Sequence, residues 1–103
     1  GADPTNPINA QSSIQGNLPV DVDVTTDVDD TLLILWGAYD ASSQQTWTNP
    51  DGMTEHFDET VTNTELTQAG WTGPSGPAGT YTRTVDGSSG GSPIGWLIAI
   101  TPG

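Results

Sequence analysis

The sequence predicts an all-β domain, an antiparallel β-sandwich or barrel of seven or eight strands. Three observations predict it. Leu18-Pro19-Val20-Asp21-Val22-Asp23-Val24 alternates strictly, valines on one face and aspartates on the other. Turn signals recur roughly every 8–12 residues, the spacing of a sandwich. No stretch places apolar residues at helical spacing between caps. The best helix candidate, Glu59 to Ala69, offers only Val61, Leu66 and Ala69 and is rich in threonine, a poor helix former.

Residues 1–12, with Pro4, Pro7, Asn6 and Asn9, read as an extended lead-in to a single domain over 13–103. The Leu18–Val24 strand ends in a turn at Asp27-Val28-Asp29-Asp30. Thr31 to Tyr39 follows, apolar on both faces, and reads as a central strand covered on each side. Thr46-Trp47-Thr48 is a short strand. It stops at Asn49-Pro50-Asp51-Gly52, where Pro fixes φ and Gly accepts a positive one. Met53 to Asp58 alternates, and Thr60 to Leu66 is β-prone through its threonines. Residues 70–79 carry three glycines and two prolines before Gly79 and read as a loop. Thr80 to Val85 is a strand with Tyr81, Arg83 and Val85 on one face. Asp86 to Ser92 is a Gly/Ser loop, and Gly95 to Thr101 is a last apolar strand.

Length and charge narrow the function classes. The 103 residues suit one domain. Thirteen acids stand against one base, Arg83, giving a net charge of −12. That balance excludes a basic nucleic-acid footprint and should repel anionic membranes. Without cysteine there is no disulfide, thiolate metal site or Cys nucleophile. The longest apolar run, Leu32 to Trp36, is far too short for a spanning helix. Residue 1 is Gly, so the chain is expected to be processed or excised from something longer. Leu, Ile, Val and Phe number only 19, a composition that also fits an acidic disordered linker. Four Trp and the patterned apolar residues argue instead for a folded domain with a thin core, steadied by neighbouring subunits.

Asp30-Thr31-Leu32-Leu33-Ile34-Leu35-Trp36, Trp47 to Met53, Gly79 to Val85 and Gly95 to Ile100 stand in an order that resembles a family of β-sandwich domains. These recur in phage structural and tail proteins and in secreted bacterial surface proteins. The resemblance covers residues 20–102 and departs at Met53, where an aromatic is usual. It implies a jelly-roll or immunoglobulin-like sandwich and a structural or adhesive role, and it carries no catalytic residues.

Several residues are candidates for chemistry. Asp21, Asp23, Asp27, Asp29 and Asp30 are dense enough to be a candidate Ca²⁺ site, but EF-hand spacing is missing. A solvated acidic face explains them as well. His56 is the only histidine and has no nucleophile elbow to serve. Ser88, Ser89 and Ser92 lie in the Gly-rich loop. Glu55, Asp58, Glu59 and Glu65 are the candidates for a glycosidase pair, in a chain short for a sugar-cleaving groove. Trp71 in the 70–79 loop and Trp47 beside the Asn49 turn are the candidate exposed contacts to a glycan or a partner. The competing reading is that they cap the open end of the sandwich. Trp36 and Trp96 are expected in the core. Arg83, alone among acids, is expected to pair with a carboxylate across the sheet.

Together these point to a non-enzymatic structural subunit of an extracellular or virion assembly: capsid decoration, tail fibre or filament. No cofactor is required unless Ca²⁺ binds, and homo-oligomeric contacts are expected. The alternative is a carbohydrate-binding or adhesive module. Acidity without lysine also fits a high-salt setting, where salt screens self-repulsion.

Overall fold

In the computed structural model, which describes residues 1–41, 43–61, 65–88 and 91–103, alternation becomes layered sheet. There are seven strands: β1 (Ile8–Gln15), β2 (Val20–Thr25), β3 (Leu32–Asp40), β4 (Thr54–Val61), β5 (Leu66–Pro74), β6 (Thr80–Val85) and β7 (Ile94–Ile100). No helix occurs among the described residues. Five strands form one antiparallel sheet in the order β1-β7-β3-β5-β4; β2 and β6 form a second. The Cα radius of gyration is 14.0 Å. A folded chain of this length is expected near 13 Å and an unfolded one near about 30 Å.

The two layers meet through one phase of each strand. Val20, Val22 and Val24 of β2 and Val85 of β6 point inward and are buried. Leu33, Leu35 and Tyr39 of β3, Ala69 and Trp71 of β5, and Leu97 and Ala99 of β7 oppose them. Gly37 and Gly95, paired across β3 and β7, clear the space for the valines. A Cβ on Gly95 would lie 2.6 Å from Val22 Cγ2, and one on Gly37 would lie 2.8 Å from Val85 Cγ1. Trp47 and Met53, from the segment between β3 and β4, complete the core over β5. The Trp47 ring packs edge-on against Tyr39 and Trp71, with centroids 5.1 and 5.8 Å apart. Its indole N–H donates to Thr67 Oγ1 at 3.0 Å.

Several expectations need correction. The extended stretch 1–12 already contains the start of a strand. β1 begins at Ile8 and pairs with β7, while Ala2 bridges to Pro102. β1 is a weakly patterned edge strand: Ile8, Ala10 and Ile14 alternate with Asn9, Gln11, Ser13 and Gln15, but Ser12 interrupts the apolar phase and a register shift follows Ile8. β3 is central in its sheet but covered on one face only, since β2 and β6 lie on a single side. The stretch 70–79 is not all loop, because β5 runs to Pro74. Gly70 and Gly73 serve close approach rather than turning. A Cβ on Gly70 would lie 2.3 Å from the Phe57 ring, and one on Gly73 would lie 2.4 Å from the Gly52 carbonyl oxygen. Thr46–Thr48 is reduced to one bridge, Trp47 to Gly87. The middle of the Thr60–Leu66 stretch, residues 62–64, lies outside the described residues, as do 89–90 of the Gly/Ser loop.

Candidate functional site

Strand alternation gives the five-stranded sheet a second face, and nothing in the described chain covers it. On β3 it carries Leu32, Ile34, Trp36 and Ala38, and on β7 it carries Ile94, Trp96, Ile98 and Ile100. These pair across the strands, Leu32 with Ile100, Ile34 with Ile98, Trp36 with Trp96 and Ala38 with Ile94. Leu66 of β5, Phe57 of β4 and Ile8 of β1 extend the apolar surface sideways, each at least 40% exposed. The rim is polar: Gln11, Ser13 and Gln15 on β1, Gln68 on β5 and Glu59 on β4. Trp36 Nε1–H donates to Gln68 Oε1 at 3.2 Å, which ties the indole to the rim and leaves its ring in the face. Trp96 is 40% exposed.

The tryptophan expectations therefore reverse. Trp71 is 1% exposed and Trp47 is 5% exposed, so neither offers a ring to a glycan or a partner. Trp36 and Trp96, expected inside, carry the open face. Strand phase groups these residues without orienting them. Trp36 is in register with Leu32 and Ile34, opposite to Leu33 and Leu35. Which phase faces inward was hidden because both are apolar.

The five aspartates are not brought together. Asp21 and Asp23 lie on the outward face of β2, where the cross-strand hydroxyls of Thr84 (2.7 Å) and Thr82 donate to them. Asp27 pairs with the Asn9 side chain, and Asp29 accepts from the Ala78 N–H at 2.8 Å. Asp30 occupies a left-handed turn position, φ 59°. Among the described residues no group of three or more carboxylates or histidines gathers closely enough to hold a metal ion.

The hydrolytic candidates are also apart. His56 Nε2 is 2.6 Å from Thr72 Oγ1, and Ser88 Oγ bonds Gln45 Oε1 and the Thr46 N–H. Ser89 lies outside the described residues. Glu55 and Asp58 do meet, on the inward side of β4. The Glu55 carboxyl is raised above its ordinary value, first by loss of surrounding water, then by the Asp58 charge and a hydrogen bond with Asp58. The Trp71 indole N–H opposes that shift, although it reaches no partner in good hydrogen-bond geometry.

Arg83 forms no ion pair among the described residues, contrary to expectation. Its cross-strand neighbour is Val22, and it lies on the inward phase while Asp21 and Asp23 point outward. Its Nη1 donates to the Thr82 carbonyl at 2.9 Å, its Cζ sits 5.7 Å from the Tyr81 ring centroid, and its Nε is buried without a partner. A cleft of about 300 Å³ opens beside it, between β6 and the segment 48–51.

The chain matches no family model, no curated protein and no solved structure.

Proposed function

We propose that this chain is a non-enzymatic structural subunit whose open sheet face packs against a second copy of itself. One observation carries the reading: every paired position of β3 and β7 on this face, from Leu32–Ile100 to Ala38–Ile94, is apolar, and Asp40 at the end of β3 joins the polar rim around it, the anatomy of a subunit interface. With strands about 4.8 Å apart and about 3.3 Å per residue, five strands of seven to nine residues present roughly 600 Å² in projection. Side-chain relief brings that close to the roughly 800 Å² per partner of a standard interface. A two-fold contact needs one self-complementary patch, and this face has its two indoles paired at the centre. The setting we favour is an extracellular or virion assembly, in line with the resemblance noted above and with the lysine-free acidic surface. We read the sandwich as jelly-roll or immunoglobulin-like in kind.

Sedimentation velocity in molar NaCl tests this. The expected result is a dimer or larger species that Trp96→Glu converts to a folded monomer. A native chain that sediments as a monomer at high concentration contradicts it. Glycan binding is the second reading, favoured only by the surface indole of Trp96. It requires a change in tryptophan emission when polysaccharide is added.

A further inference from the structure

We infer that the free edge of β6 is an acceptor for an extended peptide strand that presents a carboxylate to Arg83. The argument begins with strand parity. Gly79 directs its carbonyl to Thr26 of the β2 side, and Asp86 directs its carbonyl the other way, to the Thr48 N–H. In an antiparallel ladder successive residues alternate. Tyr81, Arg83 and Val85 therefore bond β2, and Thr82 and Thr84 turn their N–H and C=O groups away from it. Beyond Asp86 the 48–51 segment takes the place of a third strand for one bond and one bridge, then diverges. The cleft lies where it leaves, lined by Asn49, Asp51, Thr82 and Thr84. Among the described residues the main-chain N–H groups of Thr82 and Thr84 have no partner. An unpaired edge of this kind adds a strand, and main-chain bonds supply the affinity.

Arg83 selects the occupant. It is the only side-chain cation, it leaves β6 on the inward phase and lines the cleft, and its Nε is buried without a partner. The only acceptor the described residues offer its guanidinium is the Thr82 carbonyl, which is itself an edge group. A carboxylate on the inward side of an added strand meets that guanidinium with charge-assisted bonds. Asp51 and Asp86 flank the same cleft and set its limit. They repel a strand with further negative charge, so the fitting segment carries one acid among neutral side chains. This surface is separate from the open face of the five-stranded sheet, and either can fail without the other.

The test titrates the ¹⁵N-labelled full chain with acetyl-Thr-Val-Asp-Val-Thr-amide, with its Asn counterpart, and with acetate. The expected result is saturable shifts and slowed exchange at the Thr82 and Thr84 amides, with about ten-fold weaker binding of the Asn peptide. Arg83→Gln should reduce the preference for Asp to near unity. The Asp/Asn comparison on the native chain stands if that variant does not fold. Three results overturn the inference: amides of Thr82 and Thr84 already protected in the free chain, equal binding of the two peptides, or an acetate response at Arg83 with no peptide response at the edge.

Discussion

Trp36 and Trp96 stand opposite one another on β3 and β7, on the side of the sheet away from β2 and β6. Each lies one residue along from a fully buried leucine, Leu35 and Leu97. The same two strands thus supply the core with one phase and an open apolar face with the other. Isolated exposed apolar residues are ordinary on a monomer, whereas a contiguous face with indoles at its centre marks a contact surface.

The closeness of the layers depends on Gly95. A methyl group there meets Val22 Cγ2 at 2.6 Å and Val85 Cγ2 at 3.1 Å, and both belong to rigid β-branched side chains. Gly95→Ala is expected to lower stability by about 1–3 kcal/mol, the usual cost of overpacking. Urea unfolding checks it, and an unchanged midpoint would show that the β2–β6 layer sits farther off than described.

Thr67 is buried and accepts the Trp47 indole N–H at 3.0 Å. Thr67→Val keeps the shape and removes the acceptor, which leaves a buried donor orphaned. The expected loss is about 1–3 kcal/mol, while Thr67→Ser keeps most of the stability. Chemical denaturation of the two variants side by side separates loss of the bond from loss of the methyl group.

Glu55 introduces a pH dependence. Its folded value is raised above 4.5 by lost hydration and by Asp58. Between 4.5 and that raised value the folded chain holds a proton that the unfolded chain releases. This contribution to stability is complete below the unfolded value and is lost as pH rises through the folded one. Glu55→Gln is therefore expected to raise the melting temperature at neutral pH, with the gain vanishing in acid. Thermal melts of both proteins across that range check the sign. Screening by solvent at this exposed position keeps the effect small.

A chain with 13 acids and one arginine repels itself. Raising salt from 0.1 M to 1 M shortens the screening length from about 10 Å to about 3 Å. Asp21 and Asp23, two residues apart on one strand face, accept hydrogen bonds from threonine hydroxyls, which leave both negative charges in place. The melting temperature is expected to rise steadily with NaCl. Calorimetry showing no dependence would mean that the surface acids are spaced too widely to matter.

How much of this was legible follows from which faces differ chemically. β2, β6 and β7 could be read because their two phases contrast or because turn residues bound them: Val against Asp in β2, Val85 against Thr84 in β6. β3 could be located, but not its covered side, since Leu33 and Leu35 are no more apolar than Leu32 and Ile34. Trp71 was hidden by Gly70, Gly73 and Pro74, which look like a loop but let Phe57 and the Gly52 main chain approach the sheet. The cleft beside β6 could not be read at all. It arises where the 48–51 segment parts from the β6 edge, and no local pattern encodes that separation.

The central claim is that a second copy covers the open face. The four tryptophans divide evenly, Trp47 and Trp71 in the core, Trp36 and Trp96 on that face. Acrylamide quenching in molar NaCl, followed over a wide range of protein concentration, reads this directly. The account predicts strong quenching from one half of the emission at high dilution, lost as copies associate. Quenching of that half that stays strong at every concentration would contradict it.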